Sequence, residues 1–143
     1  MPTYETSISI AAEPAAVWRV LSDVAAWPAW LPTVDAVQPL DSPALRPGAR
    51  FAVRQPKLRP ATWTVTQLDP AGRFEWVARS PGLRMTGDHV VTPDSPAGAR
   101  VVLRFGFSGL LGGLVGKLYG ALVRDYIAQE AQALKRKLEA RES

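Results

Sequence analysis

The lone histidine is the first residue of this chain that could do chemistry. His89 is the one side chain whose unperturbed pKa lies near neutrality, so it could act as an acid, a base or a donor to a ligand. A buried histidine can also serve only to satisfy a neighbouring polar group. Spacing alone places no nucleophile or carboxylate beside His89, so the catalytic residues, if there are any, stay unknown.

Tyr126 is the second candidate, because it follows Leu118 and Leu122 along one stripe of a predicted C-terminal helix. Its hydroxyl could orient a ligand, or the ring could simply pack in the core while the hydroxyl stays in contact with water. The carboxylates have no spacing that requires acid/base work, and we expect each to be solvated. They are Glu75, Asp88, Asp125 and Glu130.

Large apolar side chains could line a cavity for a flat or apolar ligand, since aromatic walls are common in small-molecule sites. The same side chains could instead fill a close-packed core. The predicted ligand-contacting set joins this wall to the residues above: Trp63, Trp76, Met85, His89, Phe105, Phe107, Leu118, Leu122 and Tyr126.

Composition excludes several classes of site. The chain has no cysteine and one histidine, which excludes disulfides, thiolate metal sites and multi-histidine metal sites, and we expect no cofactor. Its 143 residues suit one domain spanning 1–143. The first ten residues have neither a basic nor an apolar signal region, so we expect a cytoplasmic location. The oligomeric state stays open.

The elements that must position these residues follow from periodicity and turn chemistry. Alternation between Pro- and Gly-rich turns predicts strands near 3–10, 34–39, 50–55, 61–69, 73–79, 84–92 and 100–107. Pro14 begins a short helix over 15–22, a second short helix ends by Trp30, and a long amphipathic helix covers 114–139. Parity puts apolar side chains on one sheet face and arginines on the other, so the long helix must cover the apolar face.

The arginine face and a glycine-rich segment raise two further possibilities. Clustered arginines could bind phosphate, but no aromatic residues interleave with them, and we expect no nucleic-acid partner. Glycines recur every four residues over 109–120, as on membrane-helix contact faces, yet Lys117 opposes stable insertion. In a water-soluble fold Gly112 and Gly113 would make the helix start pliable, which could open a path for a ligand.

The order of elements and several local motifs together resemble one superfamily. The segments are Pro14–Asp23, Trp27–Pro32, Thr64–Pro70, Phe74–Trp76, Gly87–His89 and Leu134–Glu139. They resemble the START-like or SRPBCC proteins, which include the polyketide cyclase/dehydrase and lipid-transport group, over essentially the whole chain. The resemblance implies an α+β helix-grip fold, in which a curved antiparallel sheet of about seven strands wraps a long C-terminal helix. It also implies a cavity between sheet and helix, but no shared catalytic set.

From this we expect binding or transport of a small hydrophobic molecule, either a lipid, an aromatic compound or a polyketide-like compound. One alternative is a polyketide cyclase/aromatase or dehydrase that uses His89 and Tyr126. Another is a lipid-handling protein that works at membrane surfaces through 109–120. Binding is favoured over catalysis, since the resemblance supplies packing residues rather than a reaction centre.

Overall fold

Seven strands form one antiparallel sheet in the computed structural model, which describes residues 2–94 and 97–142. In space the first strand pairs with the seventh, and the seventh to the second follow in descending sequence order, so the second to seventh strands form a meander and the first joins its far edge. Short turns between successive strands favour this antiparallel arrangement. The strands are β1 (Thr3–Ile10), β2 (Ala36–Pro39), β3 (Arg50–Arg54), β4 (Ala61–Asp69), β5 (Arg73–Ser80), β6 (Leu83–Asp94) and β7 (Gly98–Ser108).

Two helical segments follow β1 and one long helix ends the fold. They are α1 (Pro14–Ser22), a 3-10 helix (Val24–Ala29) and α2 (Gly112–Glu142). Pro14 occupies the first turn of α1, where its missing N–H costs no hydrogen bond. No helix within residues 2–94 and 97–142 is both long and apolar enough to cross a membrane. The predicted α+β helix-grip fold is confirmed, with α2 extending slightly beyond 114–139.

The β5–β6 hairpin shows how turn residues set the strand pairing. Pro81 and Gly82 form its two-residue loop, with φ of +74° at Gly82. Proline followed by a residue of positive φ is the pattern of a type II turn, which needs glycine at the second position. The turn fixes the register so that Phe74 lies opposite His89 and Trp76 lies opposite Gly87.

The two sheet faces differ as parity predicts. Inner side chains such as Phe51, Phe74, Val101 and Leu103 are almost completely buried beneath the helices. The outer face carries arginines, several of which pair with carboxylates. Asp88, which is itself buried, contacts Arg73 at 3.1 Å and Arg104 at 3.6 Å.

The prediction that the leucines of α2 face the sheet is wrong in the first half of the helix. Leu114 and Leu118 are 58% and 69% exposed, whereas Gly112, Gly116 and Gly120 face inward. A Cβ at Gly116 would lie 2.5 Å from Pro2 Cγ, so this part of α2 touches β1 too closely for a larger side chain. The leucines therefore turn to the outer side. In the second half, Val123, Ile127, Ala131, Leu134 and Leu138 are buried as a continuous stripe.

Candidate functional site

His89 lies inside a cage of aromatic rings on the inner sheet face. Its ring stacks on Phe74 with centroids 4.1 Å apart and planes 6° from parallel. The rings of Trp27 and Trp76 lie 5.7 and 5.8 Å from it. Stacking with the cross-strand neighbour fixes the plane of the imidazole, so its nitrogens point in set directions.

Two local features make room for this cage. Gly87 has no side chain where a Cβ would lie 2.8 Å from Trp76 Nε1, so the indole can lie across the strand. Trp27 enters from the 3-10 helix, and its Nε1 donates a hydrogen bond to the Leu21 carbonyl at 3.0 Å. That bond satisfies the buried indole and holds its ring against the sheet.

Glu130 extends from α2 to meet His89. Glu130 Oε2 lies 3.6 Å from His89 Nε2, and the two side chains are 14% and 7% exposed. Within the described residues, neither His89 Nδ1 nor Glu130 Oε2 has a hydrogen-bond partner. Burying polar atoms without partners costs on the order of 1–3 kcal/mol for each group. Such a pair is therefore a site with unused hydrogen-bonding capacity.

Burial drives both groups toward their uncharged forms. It raises the pKa of Glu130 from 4.5 to about 8 and lowers the pKa of His89 from 6.5 to about 4. At neutral pH the structure thus holds a carboxylic acid beside a neutral imidazole. Among the described residues, no group of three or more His, Asp or Glu side chains is placed to hold a metal ion.

The pair borders a cavity of about 60 Å³ between the sheet and α2. Trp63, Trp76 and Phe105 form its sheet wall, and Val123 and Ile127 form its helix wall. A water molecule occupies about 30 Å³ of liquid, whereas drug-sized ligands use sites of about 300–1,000 Å³. The cavity is thus too small for a drug-sized ligand, and a larger ligand requires the walls to move apart.

Tyr126 closes one side of this cavity. Its hydroxyl donates a hydrogen bond to the carbonyl of Pro56, in the loop of residues 55–60 that joins β3 to β4. Burial, followed by the nearby Asp35 and Asp125 charges, raises the pKa of Tyr126. Gln55 and Leu58 of the same loop also line the cavity. Loop 55–60 is therefore the segment that an opening would displace.

Comparison with known proteins agrees with this architecture. The model of the family described as polyketide cyclase/dehydrase and lipid transport matches residues 1–139. The chain belongs to that family.

Solved structures extend the likeness of this polyketide cyclase/dehydrase family member to the START-like fold. The Zhui aromatase/cyclase from Streptomyces sp. R1128 is 22% identical, with a TM-score of 0.77 over 99% of this chain and 96% of that one. A START superfamily protein from Mycobacterium smegmatis is 16% identical, with a TM-score of 0.70 over 96% and 97% of the two chains. The di-domain aromatase/cyclase BexL of the BE-7585A biosynthetic pathway is 25% identical, with a TM-score of 0.71 over 97% of this chain and 47% of that one. No curated protein sequence matches this chain.

The structure gathers part of the predicted ligand set of this polyketide cyclase/dehydrase family member at one cavity. Trp63, Trp76, His89, Phe105 and Tyr126 lie in its wall. Their contact with a ligand stays a prediction.

The other four members of the predicted set lie away from the cavity wall. Phe107 is buried between Tyr4 and Phe105, and Met85 packs against the core. Leu122 is half-buried on the flank of α2. Placing Leu118 in the cavity was wrong, because glycines occupy the inner face of that part of α2.

Glu130 and Trp27 are the site residues that the sequence interpretation of this family member missed. Glu130 was expected to be solvated, yet it lies three residues after Ile127 and four before Leu134, both of which are buried. That helical spacing places Glu130 on the buried side of α2, so the sequence could have indicated its burial. Trp27 lies in the Pro-rich segment predicted as a second short helix ending by Trp30, and no spacing rule links it to the sheet.

Proposed function

We propose that this protein binds a small, flat and mainly apolar ligand that carries a polar oxygen group, in the cavity between the sheet and α2. The observation that carries the proposal is the buried His89–Glu130 pair, with free polar atoms at an aromatic wall. A core needs no such pair, because unpaired polar groups destabilise it. A ligand oxygen that reaches the pair from the cavity would give Glu130 Oε2 the hydrogen-bond partner that it lacks.

The walls favour a planar ligand over a long aliphatic chain. Trp63 and Trp76 lie with ring centroids 5.4 Å apart, and Phe105 lies edge-on to Trp63 at 5.8 Å. Aromatic side chains attract planar rings in stacked or edge-on geometry, and this attraction adds to the free energy gained by burying apolar area. The relatives described as aromatase/cyclases support the same ligand class.

Quenching of tryptophan fluorescence by 1-naphthol tests this function. We expect saturable binding to one site, and weakening by roughly tenfold in Glu130→Leu and His89→Leu, since each loses one hydrogen bond to the hydroxyl. Leu118→Ala is the matched control, because Leu118 lies on the outer side of α2. Absence of saturable binding, or equal binding by all four proteins, would reject the site. Native mass spectrometry of the purified protein would identify a bound ligand directly.

Acid/base catalysis is a second candidate, favoured by the opposite pKa shifts of His89 and Glu130. Neutral His89 could take a proton from the carbon next to a ketone while protonated Glu130 gives one to the carbonyl oxygen, which forms an enol. A proton transfer from His89 Nε2 to Glu130 Oε2, which lie 3.6 Å apart, would then return both side chains to their uncharged forms. Tyr126 is less suited than the sequence suggests, because its hydroxyl is engaged by Pro56.

Deuterium exchange distinguishes catalysis from binding alone. In heavy water, NMR should show faster loss of the hydrogens next to the carbonyl of 1-tetralone, a flat ketone that exchanges them slowly by itself, when the protein is present. His89→Leu should abolish the acceleration while the variant still binds 1-naphthol weakly. A rate equal to that of buffer would leave binding as the function.

A further inference from the structure

The outer side of the start of α2 exposes a group of leucines. Leu110, Leu111, Leu114 and Leu118 are 97%, 44%, 58% and 69% exposed. Leu114 and Leu118 lie four residues apart on one side of α2, and Leu110 and Leu111 lie directly before its first residue. Isolated exposed leucines are ordinary, but a contiguous apolar patch marks a surface that contacts something.

The β5–β6 hairpin brings cations to the same end of the molecule. Its loop contacts the patch directly, since the Gly82 carbonyl accepts a hydrogen bond of 2.7 Å from the Leu111 N–H. Next to that loop, Arg79 and Arg84 lie directly opposite each other across the hairpin. Like charges in that position destabilise a sheet. No carboxylate pairs with either arginine among the described residues.

Acidic residues are missing from both segments that build this end. Residues 76–87 and 105–124 contain no Asp or Glu, and exposed Lys117 adds a further cation beside Leu114 and Leu118. The outer groove that contains Arg84 does include Glu75 and Asp88. Those carboxylates are engaged by Arg73 and, for Asp88, also by Arg104. The end therefore presents apolar and cationic groups together.

We propose that this end, formed by residues 79–84 and 110–118, docks on the surface of an anionic lipid bilayer. The leucines enter the boundary between headgroups and acyl chains, and Arg79, Arg84 and Lys117 contact the lipid phosphates. Leu110, 97% exposed beside the hairpin loop, projects where a bilayer would cover it. Such docking combines two weak signals, apolar burial and charge, which is what stable but reversible surface binding needs. The inference is independent of the ligand in the cavity.

Vesicle flotation tests the proposal with the full chain. We expect binding to vesicles of phosphatidylcholine mixed with phosphatidylserine, weaker binding at high salt, and little binding to phosphatidylcholine alone. Arg79→Gln/Arg84→Gln should weaken binding roughly thirtyfold, as two surface cations contribute that much. Leu110→Ser/Leu114→Ser should abolish flotation. Leu40→Ser is the control, since Leu40 is 40% exposed outside the proposed surface.

Two outcomes would overturn the proposal. One is that wild-type protein does not float with anionic vesicles, or that both double variants float as well as Leu40→Ser. The other is a wild-type dimer, seen by light scattering, that Leu110→Ser/Leu114→Ser converts to a monomer, which would assign the patch to a second copy of the chain. Because the substituted side chains are exposed, circular dichroism should show unchanged folding in every variant.

Discussion

At the scale of single residues, the His89–Glu130 pair joins stability to function. Both side chains are buried, and each keeps an unsatisfied polar atom at the cavity. Proteins commonly retain such costly groups at functional sites and offset them elsewhere in the structure. The aromatic cage around His89 offsets part of that cost, because the rings of Phe74, Trp27 and Trp76 pack against the imidazole.

The pair makes stability depend on pH in a defined direction. Between pH 4 and 6.5 the lowered pKa of His89 makes stability rise with pH, which opposes the effect of Glu130. From pH 6.5 to about 8 folded Glu130 keeps a proton that the unfolded chain has released, so the free energy of unfolding falls as pH rises. The total loss is on the order of a few kcal/mol. Urea denaturation at several pH values measures it.

The Glu130→Gln variant tests whether Glu130 causes this change in the free energy of unfolding with pH. Glutamine cannot ionise, so the fall in stability between pH 6.5 and 8 should be absent, and the variant should exceed wild type above pH 8. Persistence of the same slope in the variant would mean that another group causes it.

Tyr126→Phe should release loop 55–60 from α2. Loss of one hydrogen bond to the Pro56 carbonyl should lower stability by about 1 kcal/mol. Because the cavity must widen to admit a ligand, 1-naphthol should associate faster with Tyr126→Phe than with wild type in stopped-flow fluorescence. An unchanged association rate would mean that the ligand enters by another route.

At the scale of elements, α2 shows where sequence interpretation succeeded and failed. Its existence and near-complete extent follow from 3.6-residue periodicity, as the seven strands follow from alternation. The sequence offers two competing stripes over 110–122, one of leucines and one of glycines. Hydrophobicity favours the leucines, but the distance between α2 and β1 decides the matter, and that distance is a tertiary property. Glu130 was assigned to solvent because it is a carboxylate, although its spacing from Ile127 and Leu134 places it on the buried side of α2.

Glycine substitutions in α2 test this packing. Gly116→Ala should destabilise the fold by about 1–3 kcal/mol, since its Cβ would overlap Pro2. Gly113→Ala is matched to it, because a Cβ there meets nothing within 4 Å, and it should raise stability by up to about 1 kcal/mol. Thermal denaturation compares the two. Equal effects would show that α2 does not lie this close to β1 in solution.

At the scale of the whole molecule, the sheet and α2 enclose a cavity of about 60 Å³, which is smaller than the sites that hold drug-sized ligands. We expect the cavity to expand by movement of loop 55–60, which Tyr126 ties to α2. Size is a property that no residue pattern predicted, because it depends on how all the walls pack together.

Hydrogen exchange locates that expansion. In the free protein, amides of residues 55–60 should exchange much faster than those of residues 131–138, which lie in the buried half of α2. Binding of 1-naphthol should slow exchange in 55–60 and leave 131–138 unchanged. Slowing confined to residues 108–117 would instead support the helix start as the path, as the glycines there suggest from sequence.

The position of β1 at the edge of the sheet has a consequence for synthesis on the ribosome. Thr3 pairs with Gly106, and Ala11 N–H bonds to Glu139 on the last turns of α2, so the first strand completes these contacts only after β7 and α2 have emerged. The β2–β6 meander can pair earlier from neighbouring segments, while β1 waits with its alternating apolar side chains uncovered. The newborn chain should thus need protection of β1 until β7 and α2 have been synthesised.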